Sequence, residues 1–188
     1  MRNKTLVPYR SRIVSLAQGR VLEIGIGSGL NLPFYSSVAE QVIGLEPSAK
    51  LLAMASRAGL TASRRLELIE GSAEMIPLEN ASIDTVVTTW TLCSIPAVRA
   101  ALGETRRVLK PSGRLLFVEH GRAPDPSVRW WQDRLTPIWK RIGGGCHLNR
   151  AINSLIQDAG FVFEKLEIGY IRGPNPMTFM YEGSARWR

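Results

Sequence analysis

The sequence predicts an α/β fold: a mostly parallel sheet with helices on both faces and one antiparallel hairpin at its edge. Two observations carry that expectation. Five short runs rich in apolar and β-branched residues, 20–26, 41–46, 66–70, 83–89 and 114–119, alternate with stretches of helical spacing, as buried strands do in βα units. Two further runs, 161–168 and 177–181, then follow one another across a turn-rich connection at 172–176, the pattern of a terminal strand pair.

Each element follows from local chemistry. Residues 1–19 are polar and basic, with one weakly helical segment over 9–17 behind Pro8. In the first strand Val21, Leu22, Ile24 and Ile26 are apolar. The strand then breaks into Gly25, Gly27 and Gly29, three positions with no side chain to obstruct a ligand approaching the backbone. A helix start is expected near 30–33, where Pro33 suits a first turn. The second strand ends in the acid Glu46, and Pro47 and Ser48 open a helix running to about Gly59. Gly71 closes a short third strand, and Glu79, Asn80, Ala81 and Ser82 make the turn into the fourth. Residues 96–109 form an amphipathic helix with Val98, Leu102, Val108 and Leu109 on its apolar side, stopped by Lys110, Pro111, Ser112 and Gly113. A last helix is expected over 149–159, ending at Gly160. The chain reads as one domain, 1–188, with an insertion at about 121–148 after the fifth strand.

Composition narrows the class. With 45% hydrophobic and 21% charged residues, the chain has the make-up of a globular protein. No apolar run approaches the roughly 18 residues of a membrane span, and no signal-peptide pattern follows Met1, so a cytoplasmic location is expected. Two cysteines, Cys93 and Cys146, argue against a disulfide framework. The 24 Lys and Arg against 16 Asp and Glu give a net charge of +8. These basic residues are scattered rather than gathered into a tract, so nucleic acid is not expected as a partner. Peripheral contact with an anionic membrane surface stays open.

The glycine turn is the centre of the chemistry. A strand that runs into a glycine-rich turn is how open α/β sheets hold nucleotide-like ligands. The dinucleotide fingerprint G-x-G-x-x-G is broken, because Leu30 stands where the third glycine belongs. Glu23, two residues before the turn, would emerge inside the ligand crevice, where an acid needs a cationic or multiply hydrogen-bonding partner. S-adenosylmethionine offers an ammonium and a sulfonium and no phosphate, so it suits this turn better than a pyrophosphate does. Glu46 at the end of the second strand suits a pair of ribose hydroxyls. Gly71, Ser72, Ala73 and Glu74 lie where an adenine edge would be read.

These motifs resemble one family. Glu23-x-Gly25-x-Gly27-x-Gly29, Glu46-Pro47-Ser48, Gly71-Ser72-Ala73-Glu74 and Val108-Leu109-Lys110-Pro111-Ser112-Gly113-Arg114 look like successive motifs of the class I S-adenosylmethionine-dependent methyltransferases. The resemblance runs from about Arg20 to Tyr181. It implies a Rossmann-like three-layer sandwich with a seven-stranded sheet in the order 3-2-1-4-5-7-6, strand seven antiparallel, and S-adenosylmethionine as cofactor. The cofactor contacts it implies are Glu23, Gly25, Gly27, Gly29, Asn31, Glu46, Pro47, Ser72, Ala73 and Thr89. Most members also roof the cofactor with one or two helices ahead of the first strand, for which about nineteen residues are present here.

A narrower resemblance concerns the methyl acceptor. Thr91-Leu92-Cys93-Ser94, Glu119-His120, Trp131-Gln132 and Gly145-Cys146-His147-Leu148-Asn149-Arg150 look like the animal methyltransferase-like proteins that act as thiol S-methyltransferases. Bacterial relatives of this pattern are described as phospholipid or quinone methyltransferases. The resemblance implies a small apolar or thiol-bearing acceptor, with His120 as base. Trp90, Cys93, Glu119, Trp131, Cys146 and His147 would be its substrate contacts. The rival readings are a lipid head-group or quinone methyltransferase, an RNA methylase, or a cofactor-binding regulator without turnover. No metal is expected, because the two cysteines and two histidines match no paired-ligand spacing. In the insertion, Val128, Trp131, Leu135, Ile138 and Ile142 recur at helical spacing with Pro137 as a break or kink. That stripe either docks on the sheet, covers a lipophilic substrate, or rests on a membrane.

Overall fold

A computed structural model describes residues 4–60 and 65–187. Seven strands form one sheet in the order β3-β2-β1-β4-β5-β7-β6, as the family resemblance implies. They are β1 (Gly19–Ile24), β2 (Ala39–Glu46), β3 (Arg65–Glu70), β4 (Ile83–Thr89), β5 (Leu109–His120), β6 (Phe161–Tyr170) and β7 (Phe179–Trp187). The first five run parallel, and β7 is antiparallel to both of its neighbours. Residues alternate between the faces, so each strand feeds two cores. Leu22, Ile24, Ile43, Leu45, Leu115 and Phe117 pack with α3 (Val98–Val108) and α5 (Ile152–Asp158). Val21, Val42, Val87, Leu116 and Val118 pack with α1 (Val7–Val14) and with Ala55 of α2 (Ala49–Gly59). The result is three layers, each sheet face burying its own apolar set.

Two expectations about helices change. The segment after the glycine turn makes only a 3₁₀ turn at Leu32–Phe34. Nine residues, 30–38, separate Gly29 from β2, and Pro33 adds no N–H to a ladder. The second change concerns α4 (Pro126–Ile142), which runs through Pro137 without a break. Its buried positions are Val128, Gln132 and Thr136. Only the Val128 end of the apolar stripe reaches the core; Trp131, Ile138 and Ile142 are 51%, 64% and 73% exposed. The buried face is instead anchored by polar contacts. Gln132 accepts from the Ala123 N–H at 3.0 Å and donates to the carbonyls of Gly121 and Pro176 at 3.0 and 3.2 Å. Periodicity alone favoured the apolar face; a buried glutamine with every polar atom matched won over it.

The topology positions the site. Connections leave β1 in one direction and β4 in the other, so a crevice opens at the C-terminal ends of these neighbours, where open α/β sheets bind ligands.

Candidate active site

At that crevice lies a cleft of about 630 Å³, within the range of small-molecule sites. Its floor is the glycine turn. The N–H groups of Gly25 and Ile26 both donate to the Leu45 carbonyl, at 2.8 and 3.2 Å, so the turn hangs from β2. Gly25 and Gly27 have φ of 70° and 56°, a left-handed conformation that other residues adopt only at a cost. A Cβ on Gly25 would stand 2.5 Å from the Thr91 side chain, whereas one on Gly27 would meet nothing closer than 3.9 Å. The first glycine therefore lets β1 approach the loop after β4, and the second leaves backbone open to a ligand. Gly29 lies behind the cleft, against Ala55 and Ala58 of α2.

Glu23 lines the cleft from the face that α1 covers, and only 2% of it is exposed. Its carboxylate accepts from the Tyr35 hydroxyl at 2.7 Å and the Asn31 amide at 2.8 Å. Burial pushes its pKa up to about 7, against the pull of those two hydrogen bonds and of the Arg10 charge. Asn31 does not itself line the cleft; it also donates to Thr89 Oγ1 at 2.9 Å, tying the turn to the end of β4. Arg10 completes the network by donating to Asn31 and, at 3.3 Å, to Thr89 Oγ1, while its guanidinium stacks 4.7 Å above Trp90. Sequence reasoning missed Arg10 and Tyr35. The signal for Arg10 was its place in the short helical segment ahead of β1, opposite the face on which Glu23 emerges.

Glu46, Pro47, Ser72, Ala73 and Thr89 all line the cleft. The two Glu46 oxygens accept from the N–H groups of Gly27 and Ser48, each at 3.1 Å. A carboxylate has about four acceptor positions, so both oxygens keep capacity for a diol. Ser72 donates to Glu74, which also accepts from the Ala97 N–H at 3.2 Å, holding the wall after β3.

The expected acceptor side divides in two. Trp90 lines the cleft in a left-handed conformation, φ 53°, together with Thr91, Ser94, Ile95 and Pro96. Gly144 is the one insertion residue that reaches this cleft. Glu119 stands behind the loop, fully buried, accepting from the N–H groups of Thr91, Leu92 and Cys93 at 3.0, 3.1 and 3.4 Å. Burial raises its pKa to about 7. Its placement is that of a loop anchor. His120, Cys93, Cys146 and His147 also gather behind the loop and do not line the cleft. His120 is 5% exposed and neither ring nitrogen has a hydrogen-bond partner. The His147 N–H donates to the Cys93 carbonyl at 2.8 Å, and burial lowers the pKa of its ring. Trp131 lies on the outer surface of α4, edge-on to Trp130 at 4.7 Å, and does not reach the cleft. Among the described residues no group of three or more His, Cys, Asp or Glu could hold a metal ion.

A family model describing a methyltransferase domain matches residues 22–117, from the first strand to the fifth. The chain belongs to this methyltransferase family. A thiol S-methyltransferase of Rattus norvegicus is 36% identical over 152 residues, 78% of this chain and 62% of its own length. One of Homo sapiens is 34% identical over 174 residues, 89% of this chain and 69% of its own. The chain thus spans about two thirds of these relatives. A solved S-adenosylmethionine-dependent methyltransferase of Mesorhizobium loti shares the fold at TM-score 0.71 and 18% identity, each chain covering 98% of the other. The cofactor of this methyltransferase domain is S-adenosylmethionine. The cleft fits it: open backbone at Gly27, a carboxylate with free acceptor positions at Glu46, and a paired anion and cation, Glu23 and Arg10, for a zwitterionic tail.

Proposed function

We propose that this chain transfers the methyl group of S-adenosylmethionine to a small lipophilic thiol. One observation carries the reading: the match to the human thiol S-methyltransferase takes in 89% of the chain, so it includes both the loop after β4 and the insertion. The cleft is consistent with it. Beyond the glycine turn its wall is Trp90, Ile95 and Pro96, without a charged side chain on that stretch, as an uncharged acceptor requires.

The cofactor supplies an activated methyl on a sulfonium. Glu46 would hold the ribose and Glu23 with Arg10 the methionyl end, fixing the methyl group toward Trp90. Transfer is an in-line displacement, so alignment supplies most of the acceleration. A thiol is already a strong nucleophile when ionised, and a modest base suffices. His120, buried behind the Cys93 loop and outside the cleft lining, is the proposed acceptor of that proton once the loop shifts to admit the acceptor.

The test incubates the protein and labelled S-adenosylmethionine with thiols, phospholipids, quinol precursors and RNA. Label on thiols is the expected outcome; label on RNA or lipid alone would overturn the choice, and cofactor binding with no acceptor would make the chain a regulator. His120→Ala should lower kcat by about a hundredfold with unchanged cofactor affinity, and unchanged kcat removes His120 from the mechanism. A second reading, an acceptor presented at a membrane, is favoured by the exposed Trp130, Trp131, Ile138 and Ile142 of α4.

A further inference from the structure

The motif from Gly145 to Arg150 ends in a cation to which methyl transfer has so far given no role. Arg150 stands in the loop that returns from α4 to α5, half-buried and outside the cleft lining. Its backbone is a fixed point. The N–H groups of Arg122, just past β5, and Ile152, at the start of α5, both donate to the Arg150 carbonyl, at 2.7 and 3.1 Å. A Cβ on Gly121 would stand 2.5 Å from that oxygen, so only glycine lets the two segments meet so closely. The neighbouring Asn149 donates to Asp133 of α4 at 2.8 Å, which ties the insertion to the same point.

From this base the guanidinium reaches the loop after β4. One nitrogen, Nη1, donates to the carbonyls of Leu92 and, at 2.7 Å, Ile95. Glu119 takes the N–H groups of Thr91, Leu92 and Cys93. The loop is therefore gripped by opposite charges, a carboxylate on its donors and a guanidinium on its acceptors. Such charge-assisted hydrogen bonds are about twice as strong as neutral ones. The loop's own bonds are two turns, from the N–H groups of Ser94 and Ile95 to the Thr91 carbonyl at 2.8 and 3.2 Å. Ile95, whose carbonyl Arg150 holds, itself lines the cleft with Trp90, Thr91, Ser94 and Pro96. A movement of that carbonyl is a movement of the wall.

We propose that Arg150 is a positioning residue for methyl transfer, fixing the Leu92 and Ile95 carbonyls and thereby the place of the acceptor wall opposite the methyl group. It touches no reactant. In an in-line displacement a misplacement of about 1 Å costs about a hundredfold in rate, so the wall has to return to one place after each acceptor enters. A charge held on a fixed backbone and bonded to two carbonyls of the loop sets that place. The insertion thus shapes the acceptor site although Gly144 is its one residue in the cleft lining. The assignment rests on the reading that Trp90 to Pro96 face the acceptor; it does not depend on the acceptor being a thiol.

The experiment compares Arg150→Met, which keeps an apolar stem and loses every donor, with Arg150→Lys, which keeps a charged donor. Turnover is measured with labelled S-adenosylmethionine and butanethiol, or with the phospholipid, quinol precursor or RNA of the panel if label goes there instead. It is expressed per cofactor-binding site found by calorimetry. Arg150→Met should lower kcat at least about tenfold, with KM for the acceptor and Kd for S-adenosylmethionine each within about threefold. Arg150→Lys should be at least about threefold faster than Arg150→Met. A second readout needs no acceptor: Cys93 lies in the held loop and is 1% exposed. In a Cys146→Ala background, adding Arg150→Met should speed modification of Cys93 by N-ethylmaleimide at least about tenfold. Should Arg150→Met lose cooperative thermal unfolding, Arg150→Gln takes its place. An unchanged kcat, an equal Cys93 rate, a Kd that rises in step with the fall in kcat, or Arg150→Lys no faster than Arg150→Met would overturn the assignment. Label on another acceptor in place of butanethiol sinks the thiol reading and leaves this test intact; thiol label with an unchanged kcat sinks the role of Arg150 alone.

Discussion

The guanidinium of Arg10 lies 4.7 Å above the ring of Trp90, joining the helix ahead of the sheet to the loop that faces the acceptor. The same Arg10 donates to Asn31 and Thr89, which hold the glycine turn and Glu23. One side chain therefore couples both halves of the cleft. Arg10→Ala leaves the buried Asn31 carbonyl oxygen without its Arg10 donor, while Thr89 Oγ1 keeps the Asn31 amide; the loss should cost about 2 kcal/mol, or about 4–8 °C in Tm for a chain of this size. The Kd for S-adenosylmethionine should rise about tenfold or more. Arg10→Lys should recover less than half of either effect, because an ammonium lacks the planar fork that stacks and donates at once. Calorimetry and thermal unfolding separate the two effects; an unchanged Kd with a lowered Tm confines Arg10 to the scaffold.

Glu23 gives the cleft a pH dependence. Burial raises its folded pKa from 4.5 to about 7, so the folded protein favours the protonated acid. Its contribution to stability is full below the unfolded pKa and is lost as pH rises through 7. Glu119, also at about 7, acts in the same direction. Cofactor binding runs the opposite way, since an ammonium prefers the ionised carboxylate. From pH 6 to pH 8 the protein without cofactor should become less stable while its Kd for S-adenosylmethionine tightens about tenfold. Glu23→Gln should flatten the binding profile. A Kd that stays pH-dependent in this variant assigns the titration elsewhere.

Much of the fold was legible because strand burial and turn chemistry are local. The apolar runs around Val21, Val42 and Val86 fall within strands and Gly71 follows the end of β3, but the turn expected at 110–113 is part of β5, which begins at Leu109. The strand order came from the family motifs, since periodicity cannot say which strands are neighbours. Two features were not legible. The helix expected after Gly29 is absent because Asn31 and Tyr35 turn inward to Glu23, a long-range demand that no local pattern encodes. The buried face of α4 is set by Gln132, whose partners Gly121 and Pro176 are remote in the sequence. Within the site, the cofactor acids emerged from the sequence because carboxylates beside glycines are chemically unusual. The acceptor residues were harder: Cys93, Glu119, His120, Cys146 and His147 share one neighbourhood but stand behind the wall of the cleft.

Glu46 should read the ribose. Its oxygens each hold one backbone N–H, from Gly27 and Ser48, at 3.1 Å, so the carboxylate is fixed before a ligand arrives. Glu46→Gln places an amide N–H₂ against one of those donors and removes an acceptor. The loss should be about 1–3 kcal/mol, roughly a ten- to hundredfold rise in Kd. Because the ribose is common to S-adenosylmethionine and S-adenosylhomocysteine, both should weaken by the same factor. Calorimetry with each ligand checks this; loss confined to S-adenosylmethionine would place Glu46 near the sulfonium instead.

The outward face of α4 should bind anionic membranes. Trp130 and Trp131 are 48% and 51% exposed, and Ile138 and Ile142 extend the same surface. Around them stand Arg129, Arg134, Lys140 and Arg141 against the single acid Asp133, and Arg134 stacks on Trp130 at 4.1 Å. Apolar side chains among cations are the composition of a helix that lies in the headgroup layer, and each cation near such a surface contributes about 1 kcal/mol. No helix among the described residues is long and apolar enough to cross a membrane, so contact through α4 would be peripheral. Co-sedimentation should show binding to vesicles containing phosphatidylserine and little to pure phosphatidylcholine, weakening as salt rises. Replacing Trp130 and Trp131 together by alanine should lower the vesicle-bound fraction at least about tenfold. The substitution buries nothing new and leaves the Gln132 contacts intact, so methyl transfer in solution should be unchanged. Equal pelleting of wild type and variant would assign membrane binding to charge alone, and no pelleting at low salt would remove the membrane from the acceptor's route to the cleft.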